Sequence, residues 1–105
     1  MLTSKQRAYL RGLAASEDTI VHVGKGDLSE NIIIQTKEAL KARELVKGKV
    51  LENSTLTPKE VCDMLCAECK ADGVQIIGSK FVLYKRNELD PRIVLPKTEK
   101  KKQIR

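Results

Sequence analysis

Between Thr3 and about Ala15 the apolar residues Tyr9, Leu10, Leu13 and Ala14 recur at three- and four-residue spacing, which predicts a helix with one buried face. Thr3 followed by Gln6 is a capping-box pattern, and Arg7 and Arg11 share another face. After the polar loop "ASEDT", the β-branched run "TIVHV" at 19–23 predicts a short strand ending at Gly24. A second helix is expected from about Glu30 to Arg43, with Ser29 as cap and Leu28 stapled onto Ile33. Ile32, Ile33, Thr36, Ala39 and Leu40 form its buried stripe. "ELVKGKVLEN" then alternates: Val46, Gly48 and Val50 point one way and Lys47 and Lys49 the other, a strand with a basic outer face.

"STLTPKE" opens a third helix, with Thr57 as cap, Pro58 in the first turn and Glu60 completing a capping box. It is expected to reach about Ala71, before Gly73. "VQII" at 74–77 and "FVLYKR" at 81–86 read as strands joined in a tight hairpin through "GSK". From Asn87 the chain looks extended or looped. The order α-β-α-β-α-β-β, with two helix-linked strand pairs making right-handed crossovers, predicts an α+β domain with one four-stranded mixed sheet. Residues 1–96 are expected to form this single domain and 97–105 a basic, disordered tail.

Composition sharpens this picture. The 105 residues can build one modest core, and with Phe81, Tyr9 and Tyr84 as the only aromatics that core must be mainly Leu, Ile and Val. Net charge is +6 and the pI about 9.3, which favours a polyanionic partner, nucleic acid before an anionic membrane surface. The tail "KTEKKKQIR" carries +4 of that charge, leaving +2 on residues 1–96, so a binding face must come from clustering. No run approaches the ~18 apolar residues of a membrane span. "MLTSKQRAYL" has no apolar core of a secretory signal, and three cysteines suggest reduced thiols, so a cytoplasmic, monomeric protein is expected.

The junction "HVGKGDLSEN" is where chemistry concentrates. The first N–H groups of a helix lack internal partners and the dipole is positive there. Glycines let a backbone approach an anion, and Lys25 adds a charge, so Gly24-Lys25-Gly26 and the start of the second helix could cradle a sugar-phosphate backbone. An ordinary glycine-rich turn with a solvated lysine is the alternative. Neither a P-loop nor a dinucleotide-binding glycine pattern is complete, since only G-x-G is present.

"LTSKQRAYLRGLA", "VGKGDLSENI", "ELVKGKV", "VQIIG" and "FVLYKR", in this order and spacing, resemble the bacterial YhbY-type proteins, the stand-alone form of the CRM (chloroplast RNA splicing and ribosome maturation) domain. The resemblance covers roughly residues 2–96. It implies a fold similar to the C-terminal domain of bacterial translation initiation factor three. It also implies RNA binding through a GxxG-type loop like that of KH domains, and association with precursors of the large ribosomal subunit. Asp27 stands where that loop would want glycine. Asp tolerates positive φ, and Asp27 is also an alternative cap of the second helix, with Glu30 as its box partner.

The residues assigned to RNA are Gly24, Lys25, Gly26, Asp27, Leu28 and Ser29 in the loop, with Lys5, Arg7, Arg11, Lys47, Lys49 and Arg86 extending the path. Lys80 and Lys85 on the last hairpin are further candidates, and the tail lysines could add affinity by counterion release. Scarce aromatics imply recognition of backbone and shape rather than base identity. Cys62, Cys66 and Cys69 have the C-x3-C-x2-C spacing of a cluster-binding loop, but inside a capped helix that spacing puts all three beside Leu65 on a core face. His22, the one histidine, gives no convincing fourth metal ligand, so no metal and no cofactor is expected. Nothing pairs a base with a nucleophile, which argues against an enzyme. The leading expectation is an RNA-binding factor acting on large-subunit ribosomal RNA; the alternative is a protein-interaction module without RNA contact.

Overall fold

The computed structural model describes residues 2–96, so the expected tail at 97–105 lies outside the described residues. In chain order the elements are α1 (Ser4–Ala14), β1 (Thr19–Val23), α2 (Glu30–Arg43), β2 (Leu45–Val50), α3 (Pro58–Cys69), β3 (Asp72–Ile77) and β4 (Lys80–Tyr84). The strands form one sheet in the order β1-β2-β4-β3. β1 and β2 are parallel, β4 runs antiparallel to both β2 and β3, and the sheet is therefore mixed as expected. α3 ends at Cys69 rather than near Ala71, because Lys70 turns left-handed (φ 57°) and frees residues 72–73 to extend β3. β4 stops at Tyr84, leaving Lys85 and Arg86 beyond the ladder.

The caps follow their sequence signals. Thr3 and Gln6 exchange bonds of 3.1 Å in both directions, and Thr57 and Glu60 do the same at 2.9 and 3.2 Å. Ser29 caps α2 by accepting from the Ile32 amide at 3.3 Å.

Helices cover both faces of the sheet. Val21, Val23, Val46, Phe81 and Leu83 meet Leu40 of α2 and Val61, Cys62, Leu65 and Cys69 of α3 in one core. Leu45, Val82, Tyr84 and Val74 meet Leu10 and Ala14 of α1 in the other, together with Ile93 and Leu95 of the C-terminal segment. Tyr9 is 43% exposed and does not belong to the buried stripe of α1, which Leu2 joins instead. The basic outer face expected for β2 is in fact the face on which α1 lies. The cysteine face of α3 packs inward, as its helical spacing predicts; burial holds the Cys69 thiol above its ordinary pKa, and a hydrogen bond with Cys62 does so for Cys66.

Two residues set how closely these layers meet. Gly48 lies opposite Phe81 in the register, and a Cβ there would stand 2.2 Å from the ring. The ring occupies the volume the missing side chain leaves. Glu44, at the C-terminal cap of α2, is fully buried, with φ 67°. Its carboxylate accepts from the backbone amides of Asn87, Arg92 and Ile93 at 2.7, 2.8 and 2.7 Å. Its carbonyl accepts from the Lys85 amide at 2.9 Å. One acid thus binds the end of α2, the start of β2 and the segment that crosses the α1 face.

Gly48→Ala should lower the unfolding free energy by about 1–3 kcal/mol through overpacking against Phe81, read from urea denaturation; equal stability would contradict the contact. Burial raises the pKa of Glu44, but its three amide bonds and the Arg86 charge outweigh that and hold it below the ordinary value of 4.5. A depressed folded-state pKa means stability present above 4.5 and lost as pH falls through the lower folded value. Stability should therefore decline on acidification below that point. Glu44→Gln should lower stability at neutral pH and flatten the acid limb, and an unaltered limb would show that Glu44 does not carry it.

Candidate nucleic-acid interface

Parallel pairing of β1 with β2 through α2, and the return of β3 through α3, place the N-termini of both helices at one end of the sheet. The loops 24–29 and 51–57 and the hairpin turn at Gly78-Ser79 lie at that same end, the C-terminal edge of the parallel strands where ligands of open α/β sheets gather.

Gly24 to Asp27 forms a β-turn closed by the Asp27 amide on the Gly24 carbonyl at 2.8 Å. The two glycines have different reasons. A Cβ on Gly24 would meet Asn53 Oδ1 at 3.0 Å and a methyl of Leu51 at 3.3 Å, so the fold itself demands the small residue. Gly26 has no neighbour within 4 Å of a Cβ and no positive φ, so its smallness leaves backbone open to the outside. Lys25 and Gly26 are exposed at the tip, and among the described residues Lys25 is in no ion pair.

Asp27 adopts φ 49°, the left-handed conformation that Asp tolerates. Its carboxylate does not cap α2, which correctly falls to Ser29. It accepts instead from the Ser54 hydroxyl at 2.8 Å, the Thr55 amide at 3.0 Å and the Thr55 hydroxyl at 2.7 Å. These bonds, the Thr55 hydroxyl first and Ser54 next, hold its pKa below 3.8. The charge that would face a phosphate is thus turned into the neighbouring loop, and the two loops are fastened to each other. Ser54 and Thr55 carry no sequence signal for this role, because "NSTLTP" reads only as a helix start. Leu28 packs on the α2/α3 core and anchors the turn from below.

The other assigned residues do not form one surface. Lys49 lies at the loop end of β2, paired in register with His22 and with Lys80. Lys47 donates to the carbonyls of Ala14 and Glu17 at 3.1 and 3.5 Å, so its ammonium serves the C-terminal end of α1. Arg7 donates to the Gly73 carbonyl at 3.2 Å, tying α1 to the start of β3. Lys5 and Arg11 are exposed on α1. Arg86 and Lys85 stand at the far end of β4, where with Lys37, Lys41 and Lys70 they line a cavity of about 460 Å³. The structure thus places Gly24–Ser29, Lys49 and Lys80 at one end of the sheet and Arg7 and Arg86 at the other. Among the described residues no group of three His, Cys, Asp or Glu side chains is placed to hold a metal ion. No helix among them is long and apolar enough to cross a membrane.

The fold is a small α+β domain, three helices on a four-stranded mixed sheet, with a glycine turn and a clamped loop pair at one end. The chain belongs to the CRS1/YhbY (CRM) domain family, whose model matches residues 2–85. It is 42% identical over 96 residues to the probable RNA-binding protein YqeI of Bacillus subtilis, across 91% of this chain and all of that protein. It is 34% identical to an RNA-binding protein of Haemophilus influenzae, across 91% of this chain and 96% of that one. The solution structure of a hypothetical Staphylococcus aureus protein, described as an RNA-binding candidate, superposes with a TM-score of 0.77 at 42% identity, covering 91% of this chain and 100% of that one.

Asp27→Asn keeps a residue that tolerates the left-handed backbone but removes one acceptor charge. Amide exchange at Thr55 should quicken in this variant while Val46 and Leu83 keep their protection. Unchanged protection at Thr55 would mean that the clamp does not hold the loops.

Proposed function

We propose that the protein binds RNA by its sugar-phosphate backbone at the Gly24–Ser29 turn, and that the RNA is ribosomal, in precursors of the large subunit. The observation that carries the first half is Gly26: a glycine that the fold does not need, at the exposed tip of a turn leading into a capped helix. Among the described residues no acceptor takes the amides of Lys25, Gly26 or Leu28, which leaves them to an outside anion. Helix N-termini and such turns bind phosphate oxygens by N–H donation. The contact resembles the GxxG-type loop of KH domains, with Asp27 in the place of the last glycine and supplying the clamp. The overall likeness to the C-terminal domain of translation initiation factor three belongs to the same reading.

Recognition is largely indifferent to base identity. Phe81 and Tyr84 are interior and Tyr9 is half-exposed on α1, so His22 is the one exposed aromatic ring on the strand that leads into the turn, and stacking surface is scarce. The relatives' names support RNA as the partner. The ribosomal assignment rests on the family resemblance. Within it the protein acts as a cytoplasmic monomer on residues 1–96, with the basic tail adding nonspecific affinity.

Lys25→Glu and, separately, Gly26→Ala should weaken binding of a fluorescent mixed-sequence oligoribonucleotide while thermal unfolding stays as in the native chain. Native binding should fall steeply between about 50 and 200 mM salt. Undiminished affinity in both variants would remove the turn from the interface. Salt-insensitive or absent binding would favour a protein-interaction role. Co-migration with a large-subunit precursor on a sucrose gradient tests the ribosomal half, and migration with free protein alone would overturn it.

A further inference from the structure

The strand register sets three side chains in one row across the end of the sheet that carries the turn. His22 of β1 is the partner of Lys49 of β2, and Lys49 stands directly opposite Lys80 of β4. They belong to the face that α1 covers, since Lys47, two residues before Lys49, reaches the last carbonyl of α1. Two residues of strand advance about 7 Å, so the row lies that far beyond Lys47 toward the loop end of the sheet. His22 is exposed, Lys49 and Lys80 are half-buried, and Ile77, next in the row on β3, is 59% exposed.

Residues opposite each other in an antiparallel pair hold their Cβ atoms about 5 Å apart, and like charges in that position destabilise a sheet. Among the described residues neither Lys49 nor Lys80 has an acid within ion-pair distance. An anion seated between the two ammonium groups would turn the repulsion into attraction. The imidazole of His22 adds an N–H donor in either protonation state. The row lies at the C-terminal end of β1, from which the Gly24 turn departs two residues after His22.

We propose that the His22–Lys49–Lys80 row is a second phosphate contact, so that the RNA backbone crosses the sheet end from the Gly24–Ser29 turn over β1, β2 and β4. This rests on the reading of the turn as an RNA site and gives it a direction. Interstrand spacing makes the row about 10 Å long, which adds one or two phosphates to the footprint.

The test is a pair of variants, Lys49→Gln and Lys80→Gln, measured for urea stability and for affinity toward a fluorescent mixed-sequence oligoribonucleotide at several salt concentrations. Each should be at least as stable as the native protein, because a repulsion is removed. Each should bind roughly five- to tenfold more weakly at low salt, with the slope of log K against log salt shallower by about 0.7. Lys37→Gln, at the opposite end, should change neither. Native affinity and slope in both row variants, with Lys25→Glu still weakened, would overturn the row and leave the turn standing. Equal weakening by Lys37→Gln would also overturn it, since a diffuse field would then explain the loss. Failure of the native protein to bind at all would fall on the turn itself.

Discussion

A single buried carboxylate holds the two halves of this fold together. Glu44 ends α2 in a left-handed turn, starts the central strand β2, and receives three amides from a segment nearly fifty residues later in the chain. Without it the part-buried amides of Asn87, Arg92 and Ile93, in the segment that seals the α1 face, would lose their acceptor. An acid is suited to this place because a charged acceptor with two oxygens can satisfy several donors at once. The cost of burying its charge is offset by those bonds and by Arg86 nearby.

The sheet so fixed is polar in the sense of direction. Both crossovers bring helix N-termini to one end and helix C-termini to the other, so backbone donors collect at one edge and backbone acceptors at the opposite one. Asp27 then locks the first loop at the donor edge to the second through Ser54 and Thr55. A turn held on both sides loses little freedom when it meets a ligand, which is what preorganisation contributes to affinity. The basic residues at the acceptor edge, Lys41 and Lys70 among them, sit where helix carbonyls favour cations, an ordinary structural place for them.

Much of this was legible from residues alone. Thr3, Ser29 and Thr57 announce their helices because capping is local chemistry, and the hairpin at Gly78 follows from a two-residue turn with positive φ. The mixed sheet follows from connection lengths and handedness. What stayed hidden is what depends on distant partners. Nothing in "RELVK" marks Glu44 as the one buried acid among the described residues, because its donors come from residues 87–93. Alternation along β2 separates Lys47 from Val46 correctly, but it does not say that a helix from the chain's beginning lies over the lysine side. The candidate site was visible as a loop. Its division from Arg7 and Arg86 was not, since charge in a sequence carries no address in space.

Gln6 donates to the carbonyl of Pro96 at 3.1 Å, so the described chain enters and leaves the domain side by side. Both points lie beside the start of β3, across the molecule from the glycine turn. Such a unit can be threaded into a longer polypeptide, or repeated along one, with short connectors and without any linker passing over its donor edge. Several copies strung that way would each keep the edge that carries the helix N-termini unobstructed and turned outward.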